Sequence, residues 1–214
     1  MYKQNDEIQK LREEILRLKD ERCALILSHY YQQPEIQDIA DYVGDSLELS
    51  RTAAKTNKKV IVFCGVHFMA ESAAILSPDK TVLIPDVTAG CPMADMVTRE
   101  ALIAKKKEMQ DVTVVTYVNS SAEVKAESDI CCTSANVVEV VENVPKERKI
   151  LFVPDRNLGS YASLKADRDI ELWNGYCYVH DNLTAEDVKA AKKKHPDAKF
   201  LVHPECRPEV IEMA

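Results

Sequence analysis

The sequence predicts an α/β protein built from repeated αβα sandwich domains with short parallel sheets. Short runs rich in β-branched residues alternate with helical patterns along the whole chain, and these runs are nearly continuous in apolar residues. Continuous apolar strands are typical of parallel sheets that are covered on both faces. A repeat period of about 86 to 88 residues indicates that one such unit recurs in the chain.

The elements follow one another in a regular order. An amphipathic helix opens the chain, and its apolar residues have helical spacing at Ile8, Leu11, Ile15 and Leu18. Strands are then predicted at 24–28, 60–64, 81–84, 112–116, 149–153, 170–173 and 199–202. We therefore predict an N-terminal lead-in over 1–23 that packs on the repeats, a first repeat over 24–111, a second over 112–197, and the start of a third, incomplete repeat over 198–214.

Composition limits the classes of function. Of the 214 residues 46% are hydrophobic, which is enough for a sizeable core. The net charge of -7 argues against a nucleic-acid surface, because phosphate binding needs clustered Lys and Arg. No apolar run approaches the roughly 20 residues that cross a bilayer, and the start lacks the apolar stretch of a secretory signal. We expect a cytoplasmic protein with neither nucleic acid nor membrane as a partner.

The repeat is visible in three aligned segments, each of which follows a predicted strand. HYYQQPE begins at His29, YVNSSAE at Tyr117 and HPECRPE at His203. In the first two repeats a serine follows at the same distance, Ser46 and Ser134. By these offsets a complete third unit has a hydroxyl residue near about 220 and a cysteine near about 264. We expect the sequence to be a fragment or one product of a split gene.

The residues just after the first strand of each repeat are candidates for the functional site, because ligands gather at the carboxyl ends of parallel strands. They comprise acids, bases and hydrogen-bond donors without an obvious nucleophile, which favours proton transfer over acyl transfer. The set is His29, Tyr31, Tyr117, Asn119, His203 and Glu205. Ser46 and Ser134 are predicted N-caps, whose helix N-termini either bind an anion such as a dicarboxylate or phosphate or are merely capped.

The seven cysteines fall in a chain without an export signal, so a disulfide scaffold is not expected. Cys91 and Cys177 lie in Gly-containing loops after equivalent strands, too far apart for a zinc ribbon. We interpret them as one ligand from each repeat, and with a third cysteine they would hold a 4Fe-4S cluster with one open iron acting as a Lewis acid. The others are interpreted as buried core residues, Cys23, Cys64, Cys131 and Cys132, while Cys206 is excluded as a ligand by symmetry.

Five motifs together resemble the quinolinate synthase family. They are HYYQQPEIQDIADYVGDSLELSR, VLIPDVTAGCPMADM, VVTYVNSSAEVKAESDICCTSANVVEVV, PDRNLG and VHPEC, and the match runs from about Leu25 to the last residue. The resemblance implies three pseudo-symmetric αβα domains around one active site. It also implies a transferase of NAD biosynthesis that condenses iminoaspartate with dihydroxyacetone phosphate to quinolinate, phosphate and water.

The resemblance assigns roles to the matching residues. Cys91 and Cys177 are implied as cluster ligands, and the third cysteine is expected beyond the end of this chain. Tyr31 and Glu205 are implied as the acid-base pair, and either Glu205 or its neighbour His203 is implied to assist enolisation and ring closure. Substrate contacts are implied for His29, Ser46, Tyr117, Asn119, Ser134, His203 and Glu205, while Asp45 orients its loop. An L-aspartate oxidase or dehydrogenase that supplies iminoaspartate is the expected partner.

Two other functions fit the same residues. One is a non-catalytic anion- or metal-binding fragment that needs a separate third-domain chain. The other is a zinc hydrolase that uses Cys177 and His180, since these residues have the C-x-x-H spacing of a metal half-site.

Overall fold

The chain folds into two compact units, residues 1–90 and 91–214. The structure is a computed structural model that describes residues 2–214, with side chains from Asp6 onward. Each unit contains a four-stranded, all-parallel sheet flanked by helices, which confirms the predicted α/β class and its repetition. In the described part of the chain, none of the helices has the length and apolar character that crossing a membrane requires.

The first unit has the strand order β2-β1-β3-β4. Its strands are β1 (Ala24–His29), β2 (Tyr42–Gly44), β3 (Val60–Cys64) and β4 (Thr81–Leu83). Its helices are α1 (Tyr2–Glu21), α2 (Pro34–Gln37), α3 (Ser46–Lys55) and α4 (His67–Leu76). All six residues of β1 are buried, as expected of a central strand. On α1 the predicted helix is confirmed, and its apolar residues Ile8, Leu11, Ile15 and Leu18 each remain more than a third exposed.

The second unit has the equivalent strand order β6-β5-β7-β8. A short 3-10 helix at Ala94–Met96 opens it, and its strands are β5 (Val112–Tyr117), β6 (Ile130–Cys132), β7 (Lys149–Val153) and β8 (Glu171–Leu172). Its helices are α5 (Arg99–Met109), α6 (Ala122–Ala126), α7 (Val137–Glu142), α8 (Arg156–Ala166), α9 (Tyr178–Asp181), α10 (Ala185–Lys194) and α11 (Pro208–Ile211). The buried core includes Val115, Ile150, Phe152 and Leu158.

The two units share individual hydrogen bonds as well as topology. In the first, the Ile26 N–H donates to the Asp41 carboxylate at 2.8 Å, and in the second the Val114 N–H donates to the Asp129 carboxylate at 2.8 Å. Each aspartate occupies the turn before an edge strand and holds the backbone of the central strand. The unit is therefore repeated at the level of single contacts. The predicted repeat boundaries stay a prediction, while the compact units divide between Gly90 and Cys91.

The predicted strand at 199–202 is wrong, because these residues form no strand in the structure. In the two complete copies the equivalent strand is central and pairs on both sides with strands that follow it in sequence. Among the described residues, the segment 199–202 pairs with no strand of either sheet. Its Leu201 is 88% exposed.

Candidate functional site

A histidine turn follows the central strand of the first unit and recurs at the end of the chain. His29 Nδ1 accepts a hydrogen bond from the Tyr31 N–H at 3.2 Å, and His203 Nδ1 accepts one from the Glu205 N–H at 3.3 Å. Because Nδ1 is the acceptor, a neutral ring carries its proton on Nε2. The 203–205 segment therefore keeps the turn of the repeat although it lacks the strand.

In the first unit, His29 is buried beside two aromatic rings. Its ring centroid lies 4.6 Å from that of Tyr30 and 4.7 Å from that of Tyr31, and the Tyr31 side chain is 74% exposed. Burial lowers the pKa of His29, opposed by the charge of Asp45. The imidazole thus favours its neutral form, with Tyr30 packed against its face.

The N-cap prediction for Ser46 is wrong by one residue. Asp45 is the N-cap of α3, and its carboxylate accepts from the N–H groups of Leu47 at 2.9 Å and Glu48 at 2.8 Å. Ser46 is the first helical residue. A carboxylate satisfies two free donors and interacts favourably with the helix dipole. Asp45 therefore orders its loop and occupies donors that an anion would otherwise use.

The N-cap prediction for Ser134 is wrong as well. Helix α7 begins at Val137 with Asn136 as its N-cap, and the Asn136 side chain accepts from the Thr133 N–H at 2.7 Å. Ser134 lies in the turn between β6 and α7, where its hydroxyl interacts with the phenol of Tyr117. The structure thus places Ser134 beside a predicted site residue. Asn119 lies half-buried in the turn that follows β5.

Tyr117 and Glu205 form the buried centre of the second unit's site. Burial raises the pKa of Tyr117 well above its usual value, and the charge of Glu205 and a hydrogen bond with it raise it further. Burial alone would raise the pKa of Glu205, but hydrogen bonds from His180 and Tyr117 and the charge of His203 hold it below its usual range. The pair therefore consists of a protonated phenol and an ionised carboxylate.

His180 connects this carboxylate to Cys177. Its Nδ1 lies 2.8 Å from Glu205 Oε2 and 3.2 Å from Cys177 Sγ. These hydrogen bonds raise the pKa of His180 to about 10, although burial opposes the shift. The His180 ring also stacks on His203, with centroids 4.8 Å apart and planes inclined by 26°. The ligand atoms of Cys177, His180 and Glu205 all lie within 4.8 Å of one another.

Cys91 lies near the same group. Burial raises the pKa of its thiol, the backbone N–H groups of Ala94 and Met93 oppose the shift, and the charges of Cys177 and Glu205 add to it. Cys91 and Cys177 also pack against the same hydrophobic core. The two cysteines interpreted as ligands therefore lie close enough for the charge of one to affect the other, although they are far apart in sequence.

Comparison with known proteins shows the family to which the chain belongs. The profile of the quinolinate synthetase A protein family matches residues 13–214. The chain belongs to this family. It is 64% identical to the quinolinate synthase of Desulforudis audaxviator over 94% of its own length, 58% identical to that of Methanosarcina barkeri over 96%, and 59% identical to that of Geobacter sp. strain M21 over 95%. It spans only 66%, 67% and 67% of these relatives, respectively.

Asp155 belongs to the candidate site and was missed by the sequence analysis. It is fully buried at the end of β7, where one carboxylate oxygen accepts from the Leu158 N–H at 2.7 Å and the other from the Cys177 N–H at 3.0 Å. Burial raises its pKa to about 6. Asp155 thus fixes the backbone at Cys177. Its position in PDRNLG, between a strand and a helix, was the available signal.

Asn157 is a second missed residue, and it supports Glu205. Its side-chain amide donates to Asp181 Oδ1 and to the Glu205 carbonyl oxygen, both at 2.9 Å. Asp181 also pairs with Arg156 at 3.4 Å and Arg207 at 3.2 Å. This network ties the start of α8, the end of α9 and the 203–207 segment together.

The remaining cysteines divide into buried and exposed thiols. Cys64, Cys132 and Cys206 are buried, as expected for the first two. The prediction is wrong for Cys23 and Cys131, which are exposed. Cys23 occupies a turn with φ 48° after α1, and Cys131 lies on the short edge strand β6, where alternate side chains face outward.

Proposed function

We propose that the chain contributes to a quinolinate synthase that condenses iminoaspartate with dihydroxyacetone phosphate to quinolinate, phosphate and water. The single observation that carries the proposal is the proximity of Cys91, Cys177 and Glu205 in one unit. The names of the relatives, quinolinate synthase in each case, support the same reaction. An oxidase or dehydrogenase acting on L-aspartate is the proposed source of iminoaspartate.

The residues present fit two corners of a 4Fe-4S cluster. Cys91 and Cys177 offer two thiols that pack against the same core, and the backbone N–H groups of Met93 and Ala94 stabilise a Cys91 thiolate. These two residues would hold the cluster, together with a third cysteine expected from the remaining part of the relatives' length. When bound, the cluster supplies an open iron that acts as a Lewis acid in dehydration.

We assign each proton transfer to a different side chain. Glu205 is ionised and therefore serves as a general base for enolisation, with His203 beside it at 3.9 Å. Tyr117 stays protonated and therefore donates a hydrogen bond to a substrate oxygen. We assign Tyr31 as the acid that protonates the leaving hydroxyl. His29, Ser46, Asn119 and Ser134 are proposed contacts of the substrate carboxylates and phosphate.

The test is anaerobic reconstitution with iron and sulfide of the chain joined to the remaining third of its relatives' length, which supplies the expected third cysteine, followed by assay with iminoaspartate generated in place. We expect about four irons per chain and quinolinate formation, and both fall in Cys91→Ser and Cys177→Ser. Cys131→Ser is the matched control, because its thiol is exposed, and it behaves as the parent chain. A colourless joined chain without substitutions would contradict the cluster.

The second candidate is a non-catalytic chain that binds an anion or a metal and needs a separate third-domain chain. The segment at 199–202 favours it, because an apolar segment that pairs with no strand among the described residues can pair with a strand of another chain. The anion version has lost support, since Asp45 already occupies the first N–H groups of α3. Malate binding that persists in a Cys91→Ala, Cys177→Ala double variant, with no quinolinate formed by the parent, would favour this candidate.

A further inference from the structure

We propose that Cys177, His180 and Glu205 form a mononuclear site for Zn²⁺ that competes with the iron-sulfur cluster for Cys177. The zinc site goes beyond the proposed function and does not depend on catalytic activity, while the competition for Cys177 rests on the proposed cluster. The zinc site requires only the three donor atoms, which lie within 4.8 Å of one another.

The donor set is one that zinc prefers. Thiolate sulfur, imidazole nitrogen and carboxylate oxygen are all zinc ligands, and tetrahedral bonds of about 2.0 to 2.3 Å place an N and S pair about 3.6 Å apart and an N and O pair about 3.4 Å apart. The His180 Nδ1 distances are 3.2 Å to Cys177 Sγ and 2.8 Å to Glu205 Oε2. His180 Nδ1 therefore needs to move away from each of the other two donors by only a few tenths of an ångström, while the sulfur and the carboxylate oxygen lie within 4.8 Å of each other.

Charge also favours the ion. His180 Nδ1 lies within hydrogen-bonding distance of both the Cys177 sulfur and the Glu205 carboxylate. When Zn²⁺ binds, Nδ1 and the Cys177 thiol release their protons to solvent, and imidazole coordinates while keeping its proton on Nε2. The thiolate and the carboxylate then neutralise the two positive charges. A fourth position stays open for water or another ligand.

Surrounding contacts hold the three ligands in place. Asp155 accepts from the Cys177 N–H at 3.0 Å, the Asn157 amide donates to the Glu205 carbonyl at 2.9 Å, and the His203 ring stacks on His180. Such outer contacts orient ligands and raise metal affinity. The three ligands are therefore held in place by neighbouring residues before a metal ion binds.

Competition follows from the shared sulfur. Cys177 is a proposed cluster ligand, so a chain that carries zinc there has one thiolate fewer for iron. His180 separates the two outcomes, because it belongs to the zinc site and not to the pair of proposed cluster ligands. Zinc occupancy should therefore block cluster assembly in a way that depends on His180.

The test begins with metal-free, reduced chain titrated with Co²⁺, a spectroscopic substitute for Zn²⁺. We expect one ion per chain with thiolate-to-cobalt charge-transfer absorption and tetrahedral ligand-field bands. In His180→Ala the affinity falls at least about tenfold, and Glu205→Gln shows the same direction. His67→Ala is the matched control, since His67 is an exposed histidine 3.6 Å from Glu71, and its affinity stays at the parental value.

Two results would overturn the proposal. One is cobalt affinity unchanged in both His180→Ala and a size-conserving His180→Asn variant whose circular dichroism matches the parent. The other is loss of the band in Cys91→Ser with His180→Ala unaffected, which would mean that the two cysteines form the site.

A second experiment tests competition. The chain joined to the remaining third of its relatives' length is reconstituted with iron and sulfide after zinc loading. Its iron content is expected to fall in proportion to zinc, while the His180→Ala variant takes up iron regardless of zinc. Equal iron uptake with and without bound zinc in the joined chain without substitutions would refute competition. If no cluster forms even without zinc, the proposed function fails, and the cobalt titration still decides the mononuclear site.

Discussion

Replacing Asn157 with Ala tests whether the network beneath Glu205 holds the site together. Asn157 is 5% exposed, and its amide makes two hydrogen bonds of 2.9 Å. The substitution leaves the Glu205 carbonyl without this donor, which costs about 1 to 3 kcal/mol for a buried group. Asp181 keeps its ion pairs with both arginines, so losing its hydrogen bond from Asn157 costs closer to about 1 kcal/mol.

Together these terms give a destabilisation of about 2 to 4 kcal/mol. For a unit of this size that corresponds to a fall in Tm of about 8 to 15 °C. Asn157→Asp should be at least as destabilising, because it retains the shape but places a second carboxylate against Asp181. The assay is urea unfolding followed by circular dichroism, with thermal unfolding as a second measure.

Asn143→Ala is the matched control for this prediction. Asn143 is an exposed asparagine whose amide donates only to the Glu139 carbonyl, at 2.8 Å, and its loss should change stability by no more than about 0.5 kcal/mol. If Asn157→Ala unfolds at the same urea concentration as Asn143→Ala, the network does not stabilise the site and the reasoning is refuted.

Three further predictions concern the backbone, pH and thiols. In Gly175→Ala the new Cβ would clash with the Pro154 carbonyl oxygen, so the loop before Cys177 must move. We expect the free energy of unfolding, measured in urea, to fall by about 2 kcal/mol or more. A free energy of unfolding equal to that of the parent would contradict this. Burial lowers the pKa of His29, and the charge of Asp45 opposes this shift. Because the His29 imidazole then binds a proton more readily in the unfolded chain, the free energy of unfolding should fall as pH drops through about 6.5. His29→Asn should flatten this dependence in unfolding measured from about pH 8 to 5; an unchanged slope would count against it. Burial raises the pKa of Cys132 to about 12, so native alkylation at about pH 8 should label exposed Cys23 and leave Cys132 unmodified by mass spectrometry; equal labelling of both would refute the burial.

The long strands could be predicted from sequence because they are buried on both faces. Six of the seven predicted strands are confirmed within two residues of their limits, and β1 and β5 are buried throughout. The three-residue strands β2 and β6 were missed, since two residues of each are exposed and the runs are too short for a periodic signal. The segment 199–202 was wrongly predicted as a strand because an apolar run is not enough for strand prediction. A strand forms only where another strand pairs with it.

The sequence by itself determined the repeated unit, because its local patterns recur at a fixed interval, and the resemblance of five motifs indicated the family. The repeat also predicted that Cys91 and Cys177 lie close together. Only the tertiary structure showed that His180 contacts Glu205 and that the Asp155 carboxylate accepts a hydrogen bond from the Cys177 N–H. It also showed that Asp45, and not Ser46 as predicted, is the N-cap of α3. The first two contacts join residues that are distant in sequence, and which loops meet depends on the order of strands in the sheet. The third depends on backbone angles at one residue, which composition does not specify.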